Sequence, residues 1–280
     1  MKIGFIGAGK MGFTLGKHFV LNGLEVGGYF SQNEESANLA ADFTNTHCYH
    51  SLSEVVNDND VIFLTVPDGQ IAVTAKLLDG LDVNLDGKIL CHTSGACSSQ
   101  IFSGMDNQVY GYSIHPIYAV NSKTSSYVNF KDAYITIEGD EKYLSYFQKL
   151  FLSLGHNVKI ISANDKVKYH SAAVFASNLV IGLYHKSIKL MCDCGFDEAE
   201  ACEALKPLFK NNADNLINSN CLDALTGPVQ RCDTLTVKKH IEVLDEDELM
   251  CYKLLSKELV SICEDASEKS YDSMKKLLDN

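Results

Sequence analysis

Residues 2–30 read KIGFIGAGKMGFTLGKHFVLNGLEVGGYF, and the fold is decided in this stretch. Lys2–Ile6 is a short apolar strand, Gly7–Gly12 a glycine-rich turn, and Leu24–Phe30 a second strand. Between them Leu15, Phe19 and Val20 share one face at helical spacing, which predicts a helix over Met11–Asn22. Strand, turn, helix and strand within about 30 residues make a βαβ unit. Gly7-Ala8-Gly9-Lys10-Met11-Gly12 satisfies G-x-G-x-x-G in the context that gives the pattern meaning. Gly7 permits the tight turn, Gly9 lets the backbone approach a pyrophosphate, and Gly12 lets helix and strand pack closely. Backbone N–H groups from Lys10 and Met11 would then face the anion. The competing reading is a loop that needs glycine for turn geometry alone.

The alternation continues outward. DVIFLTVP (60–67), KILCHTSG (88–95), QVYGYSIHP (108–116), AYITIEGD (133–140) and HNVKIIS (156–162) read as strands, with helical stretches between several of them and a helix over Glu141–Leu154. This predicts an α/β chain whose N-terminal part is a doubly wound, mostly parallel Rossmann sheet. From Ala163 onward only helical periodicity is found. Two domains are expected, a dinucleotide-binding domain over 1–162 and an all-α substrate and dimerisation domain over 163–280. Between Lys168 and Lys186 there is no Asp, Glu, Lys or Arg. Ala172, Phe175, Ala176, Leu179 and Leu183 follow helix spacing there, so one buried central helix is predicted. Leu249, Tyr252, Leu255, Leu259 and Ile262 mark an amphipathic helix near the C-terminus.

Composition narrows the partners. Hydrophobic residues are 46% and charged residues 21% of 280, which is ordinary for a globular protein. A formal net charge of −12 repels polyanions, so neither nucleic acid nor an anionic membrane is expected as a partner. No apolar run is long enough to span a bilayer, and no secretory leader is visible. Cytoplasmic residence is expected, with ten scattered cysteines kept as free thiols and neither disulfides nor a metal site.

The choice of cofactor is written after the second strand, in Gly28-Tyr29-Phe30-Ser31-Gln32-Asn33. An NAD site carries an acid there for the ribose 2′-OH. None is present, and Ser31, Gln32 and Asn33 offer donors to a 2′-phosphate, which favours NADP over NAD although no Arg or Lys stands beside them. The alternative is that the three residues turn the chain and cap the next helix. Val66 and Pro67 end one strand, Ser94 the next and His115 a third, so they are expected to line the path toward the nicotinamide. Asp68 reads as a helix cap.

His170, Ser171 and Asn178 form a polar stripe at the start of the helical region, with Ser177 and His185 continuing it. One reading faces them toward a cleft, with His170 as proton donor beside Ser94, His115 and Asn178, and Ser171 touching substrate. The other satisfies them internally or at a subunit contact. Arg231 is the only arginine, preceded by Thr226 in a Leu225–Asp233 segment. It suits an anionic substrate group held through bidentate geometry, or equally a structural pair with Asp233.

GFIGAGKMG (4–12), FLTVPD (63–68), HTSGA (92–96), SIHP (113–116), KYHSAAVFASN (168–178) and ALTGPVQRCDTLTVKKH (224–240) occur in the order seen in Rossmann-like NADP oxidoreductases whose C-terminal helical domain has no assigned function. The chain resembles that family over nearly its whole length. It is more distantly similar to pyrroline-5-carboxylate reductase, deazaflavin-dependent NADP reductases and beta-hydroxyacid dehydrogenases. The resemblance implies an NADP-binding domain followed by a helical domain that often dimerises. Hydroxyacid dehydrogenases carry a catalytic Lys and, four residues on, an Asn in the first helix after the sheet; here Lys166 and Lys168 precede His170 and Asn178, so lysine catalysis is not carried over. The expected activity is hydride transfer between nicotinamide and a small C=O or C=N substrate bound between the domains. The alternatives are a dinucleotide-binding sensor without turnover and a reductase fed by a deazaflavin donor.

Overall fold

A computed structural model describes residues 1–265 and 269–279. It divides into two compact units, Met1–Ala176 and Ser177–Asn280. The first unit carries β1 (Ile3–Ile6), α1 (Lys10–Leu21), β2 (Val26–Phe30), α2 (Glu34–Thr44), β3 (His47–Cys48), α3 (Leu52–Asp58), β4 (Val61–Leu64) and α4 (Asp68–Asp79). It continues with β5 (Ile89–His92), β6 (Tyr110–Ile117), β7 (Tyr134–Gly139), α5 (Glu141–Ser153), β8 (Val158–Ile160) and α6 (Lys166–Phe175). One sheet runs in the order β3-β2-β1-β4-β5-β6-β7-β8, and every neighbouring pair is parallel except β6 with β7.

Strand alternation explains why both faces are covered. Phe5, Val61, Phe63, Ile89 and Cys91 point to the side where Leu15 and Phe19 of α1 and Phe147 and Phe151 of α5 pack. Ile6, Ile62, Leu64 and Leu90 point to the other side, against Val55 and Val56 of α3 and Ile71 and Leu78 of α4. An apolar run buried on both faces is what a central parallel strand requires. On the α1 side His18 and His156 meet Nε2 to Nε2 at 2.9 Å, with His156 Nδ1 3.0 Å from the Ala133 carbonyl oxygen.

The second unit is helical: α7 (Asn178–Asp193), α8 (Glu198–Asn218), α9 (Cys221–Ala224), α10 (Pro228–Arg231), α11 (Thr234–Ile241), α12 (Glu246–Glu264) and α13 (Asp272–Asp279). Asp197 with Glu200 and Asp245 with Glu248 form capping boxes that start α8 and α12. Val229, Val237, Val260, Cys263, Tyr271, Met274 and Leu278 make its core, within and beside α10 to α13.

The compact units divide after Ala176, because α6 packs against the sheet through Lys166, Tyr169 and His170. One expectation is corrected. The single buried helix over Ala172–Leu183 is instead two helices separated at Ala176 and Ser177, with Phe175 and Ile181 exposed at 67% and 69%. Absence of charge records that a face avoids water; it does not specify what covers it.

Candidate active site

Parallel register sets the site. Leu64 pairs with His92 and His92 with Ser113, so β4, β5 and β6 reach their carboxyl ends side by side. β6 runs past its parallel neighbour and carries His115 beyond it, opposite Thr136 of β7. In an open α/β sheet this edge is where ligands bind.

The first feature on this edge is a cleft of about 340 Å³ lined by Gly7, Gly9, Ser31, Gln32, Val66 and Pro67 among others. Gly7 has φ +107, and a Cβ there would stand 2.7 Å from the Thr65 carbonyl oxygen. Thr65 Oγ1 donates to the Gly7 carbonyl oxygen at 2.6 Å and fastens the loop to the end of β4. A Cβ on Gly9 would meet nothing closer than 3.8 Å, so the backbone there is open to a ligand. That opening, ahead of the α1 N-terminus and beside a cleft with no carboxylate among its lining residues, fits a dinucleotide pyrophosphate. Gly12 is buried and packs against the loop, while Lys10 is exposed and Met11 half-buried. Asn33 is committed to α2, its Oδ1 accepting from Ser36 N at 3.0 Å, which leaves Ser31 and Gln32 as the strand-end donors.

The second feature is a buried polar cluster at the ends of β5 and β6. Lys166, the first residue of α6, is 1% exposed, and its Nζ donates to the Ser94 carbonyl oxygen at 2.8 Å and to Ser113 Oγ. Ser94 Oγ donates to Asp68 Oδ2 at 2.7 Å and accepts from Ala96 N and Cys97 N. His92 Nδ1 accepts from Ser94 N at 3.2 Å, which leaves the proton on its Nε2. His115 Nδ1 lies 2.7 Å from Tyr169 OH, which accepts from Thr136 Oγ1 at 3.0 Å. The His170 ring stands edge-on to His115 with centroids 5.7 Å apart, and its buried Nδ1 has no hydrogen-bond partner among the described residues. Gly95 makes this approach feasible, because a Cβ there would run into His170 Nδ1 and the His115 ring. Lys166 and His170 are four residues apart on α6 and so share a face.

Charge is distributed unevenly in the cluster. Burial pulls the Lys166 ammonium down to about 8, against the opposing pull of Glu138, Cys97 and Asp68. Burial, followed by the Lys166 charge, holds His115 at about 4. Burial likewise holds His92 at about 4. Near neutral pH Lys166 is therefore a cation standing beside the neutral imidazoles of His92 and His115.

Of the residues singled out from sequence, Ser94, His115 and His170 meet in this cluster. Asp68 serves as the acceptor for Ser94 Oγ, and Pro67 occupies the cap position of α4. Ser171 is exposed and its hydroxyl donates back to the Val167 carbonyl oxygen at 2.9 Å, which spends it within its own helix. Asn178 begins α7 in the second unit, where its Oδ1 accepts from Ser177 Oγ. Thr226 is exposed, and Arg231 ends α10 without an ion pair to Asp233, whose carboxylate caps α11 through Thr236. Lys166 was discounted from sequence, yet it is the most buried lysine at the site; its signal was the four-residue spacing to His170. Among the described residues no group of three or more His, Cys, Asp or Glu is placed to hold a metal ion, and no helix is long and apolar enough to cross a membrane.

Residues 2–94 match the family described as NADP oxidoreductase, coenzyme F420-dependent, and residues 133–259 match DUF2520, a domain of unknown function. Protein TM1727 from Thermotoga maritima is 27% identical, with 94% of this chain and 98% of that one covered at a TM-score of 0.73. BF3122 from Bacteroides fragilis, described as an NADP oxidoreductase, is 25% identical over 94% and 98% at 0.70. A reductive aminase from Aspergillus terreus, solved with NADPH and ethyl-5-oxohexanoate, shares the fold at 13% identity over 99% and 98%, with a TM-score of 0.67. No curated protein matches the chain. The chain thus joins, in order, a segment similar to coenzyme F420-dependent NADP oxidoreductases, which contains the glycine loop of the cleft, to a segment similar to DUF2520.

Proposed function

We propose that this chain is an NADP(H)-dependent reductase or dehydrogenase acting on a small C=O or C=N substrate. The reading is carried by the gathering of a buried ammonium, two neutral imidazoles and an unpartnered His170 Nδ1 at the strand ends next to the glycine cleft. Bound NADP(H) supplies the hydride chemistry. Gly7 and Gly9 hold its pyrophosphate against the first N–H groups of α1, Lys10 and Met11 among them. Ser31 and Gln32 take the adenosine ribose, and the Val66 and Pro67 backbone guides the chain of the dinucleotide onward. Lys166 places fixed positive charge where negative charge develops on a substrate oxygen or nitrogen. Its charge also helps keep His92 and His115 neutral, so neither serves as an acid near neutral pH. His170 donates the proton from Nδ1, with His115 and Gly95 fixing its ring. Arg231, whose guanidinium forms no ion pair among the described residues, is retained as the sequence-based candidate for an anionic substrate group. Arg231→Lys should raise KM more than it lowers kcat.

The test is a panel of small carbonyl and imine compounds offered to purified protein with NADPH, and with NADH alongside. Substrate-dependent NADPH oxidation supports the reading; binding of NADPH without turnover on any compound supports a non-catalytic sensor. The family description favours a second reading in which reduced coenzyme F420 exchanges a hydride with NADP at the same cleft. A spectral change of that donor with NADP+ alone identifies it. We further propose a cytoplasmic homodimer joined through α7 and α8, whose apolar side chains include Ile181 and Ile217 at 69% and 79% exposure.

A further inference from the structure

The strand-end donors Ser31 and Gln32 are neutral, and Glu34 and Glu35 open α2 directly after them. A 2′-phosphate placed there meets acidic charge, with the His50 imidazole 3.4 Å from Glu34 but no lysine or arginine among the neighbouring residues 28–36. The opposing charge arrives from a distant part of the chain: Lys123, in the connection between β6 and β7, lines the same cleft and is its single charged lining residue. Its ammonium lies 5.0 Å from the centre of the Phe13 ring, and no carboxylate pairs with it among the described residues.

Its position is held by packing. Phe13 meets Phe43 of α2 at 5.7 Å, and Phe43 meets Tyr127 of the Lys123 loop edge-on at 5.6 Å. The loop is also tied to itself, with Ser122 N donating to Ser126 Oγ at 3.0 Å and Ser126 Oγ donating to Asn121 Oδ1 at 3.3 Å. This aromatic string anchors the loop on α1 and α2, the helices flanking the end of β2, rather than on α4 across the cleft. The pyrophosphate already has the α1 N-terminus, whereas the ribose end has neutral donors only.

We propose that Lys123 is the cation that receives the 2′-phosphate of NADP(H) and so sets the preference for NADP(H) over NAD(H). The assignment rests on the reading of the glycine cleft as the NADP(H) site. A point charge on an aromatic face suits a phosphate, and an isolated ammonium freed from carboxylates has its full charge to offer.

The test is calorimetric titration of the full chain and of Lys123→Gln with NADPH, NADH, 2′,5′-ADP and 5′-AMP, at equal ionic strength. In Lys123→Gln, affinity for NADPH and 2′,5′-ADP should fall about tenfold, as expected for a lost charge-assisted contact, while NADH and 5′-AMP bind as before. Lys123→Arg should restore most of the loss. Thermal unfolding of the unliganded variant should match that of the parent, separating lost contact from lost fold. Equal weakening of NADPH and NADH would place Lys123 at the pyrophosphate and overturn the proposal, as would unchanged affinity for all four. If the parent chain bound neither NADPH nor 2′,5′-ADP, the reading of the cleft would fail and the proposal with it.

Discussion

The two units bury their apolar residues in different ways. In Met1–Ala176 helices cover both faces of one sheet, and apolar residues on each face close into a continuous core. In the second unit the core is confined to α10 through α13 and their surroundings; α7 contributes no buried residue and α8 only Ala201. The first unit completes its own interior, while α7 and α8 hold apolar side chains that a single chain leaves in water. Buried titratable groups follow the same division: the cluster of Lys166, His92 and His115 belongs to the self-sufficient unit, where desolvation can tune it.

The largest effect is expected inside the first unit, where two glycines of one loop should behave oppositely. A Cβ on Gly12 would stand 2.5 Å from the Gly7 carbonyl oxygen, so Gly12→Val should prevent stable folding. Gly9 has open space, so Gly9→Val should melt near the parent temperature yet lose NADPH affinity by at least about a hundredfold. Melting curves and NADPH titrations of both variants check this, and equal destabilisation by the two would erase the distinction between a glycine for the fold and one for the ligand.

Next comes the uncovered face of the second unit. Light scattering at micromolar concentration should give the mass of two 30.8 kDa chains for the parent, and of one for a variant carrying Ile181→Asp and Ile217→Asp. A monomeric parent would refute the proposed dimer, and a variant that stays dimeric would move the interface elsewhere.

A smaller effect should appear in acid. Burial holds His18, His92 and His115 at about 4 in the folded chain, below the ordinary value near 6.5. Between those values the unfolded chain binds more protons than the folded one. The stability these residues contribute is therefore complete above pH 6.5 and is lost as the pH falls through about 4. Unfolding temperature should drop by about 5–10 °C from pH 7 to pH 4.5, and His115→Asn should flatten part of that decline. An unfolding temperature indifferent to pH over this range would show that these imidazoles are not held neutral by burial.

What sequence reading recovers follows the range of the interactions. The β1–α1–β2 unit is local: its glycines, periodicity and strand runs lie within 30 consecutive residues, and the structure has each element within two residues of its expected limits. Strands β4 and β5 are legible because burial on both faces makes them continuous apolar runs. The two-residue β3 is too short to leave a pattern, and the antiparallel turn of β7 against β6 is a property of the connection rather than of either strand. At the site, His170, His115 and Ser94 stood out as polar residues at strand and helix ends. Lys166 did not, because its acceptors Ser94 and Ser113 lie 72 and 53 residues away. Lys123 escaped for the same reason, since only tertiary packing brings it to the cleft that Ser31 and Gln32 also line.

The central claim is that the buried cluster at the ends of β5 and β6 protonates a substrate reduced at the adjoining NADP(H) cleft. The most direct measurement compares the parent with His170→Asn, a variant of similar shape that carries no transferable proton, using a compound that supports NADPH oxidation. The account predicts a fall in kcat of about a hundredfold, with the NADPH dissociation constant unchanged. An unchanged kcat in a folded His170→Asn chain that binds NADPH normally would contradict it.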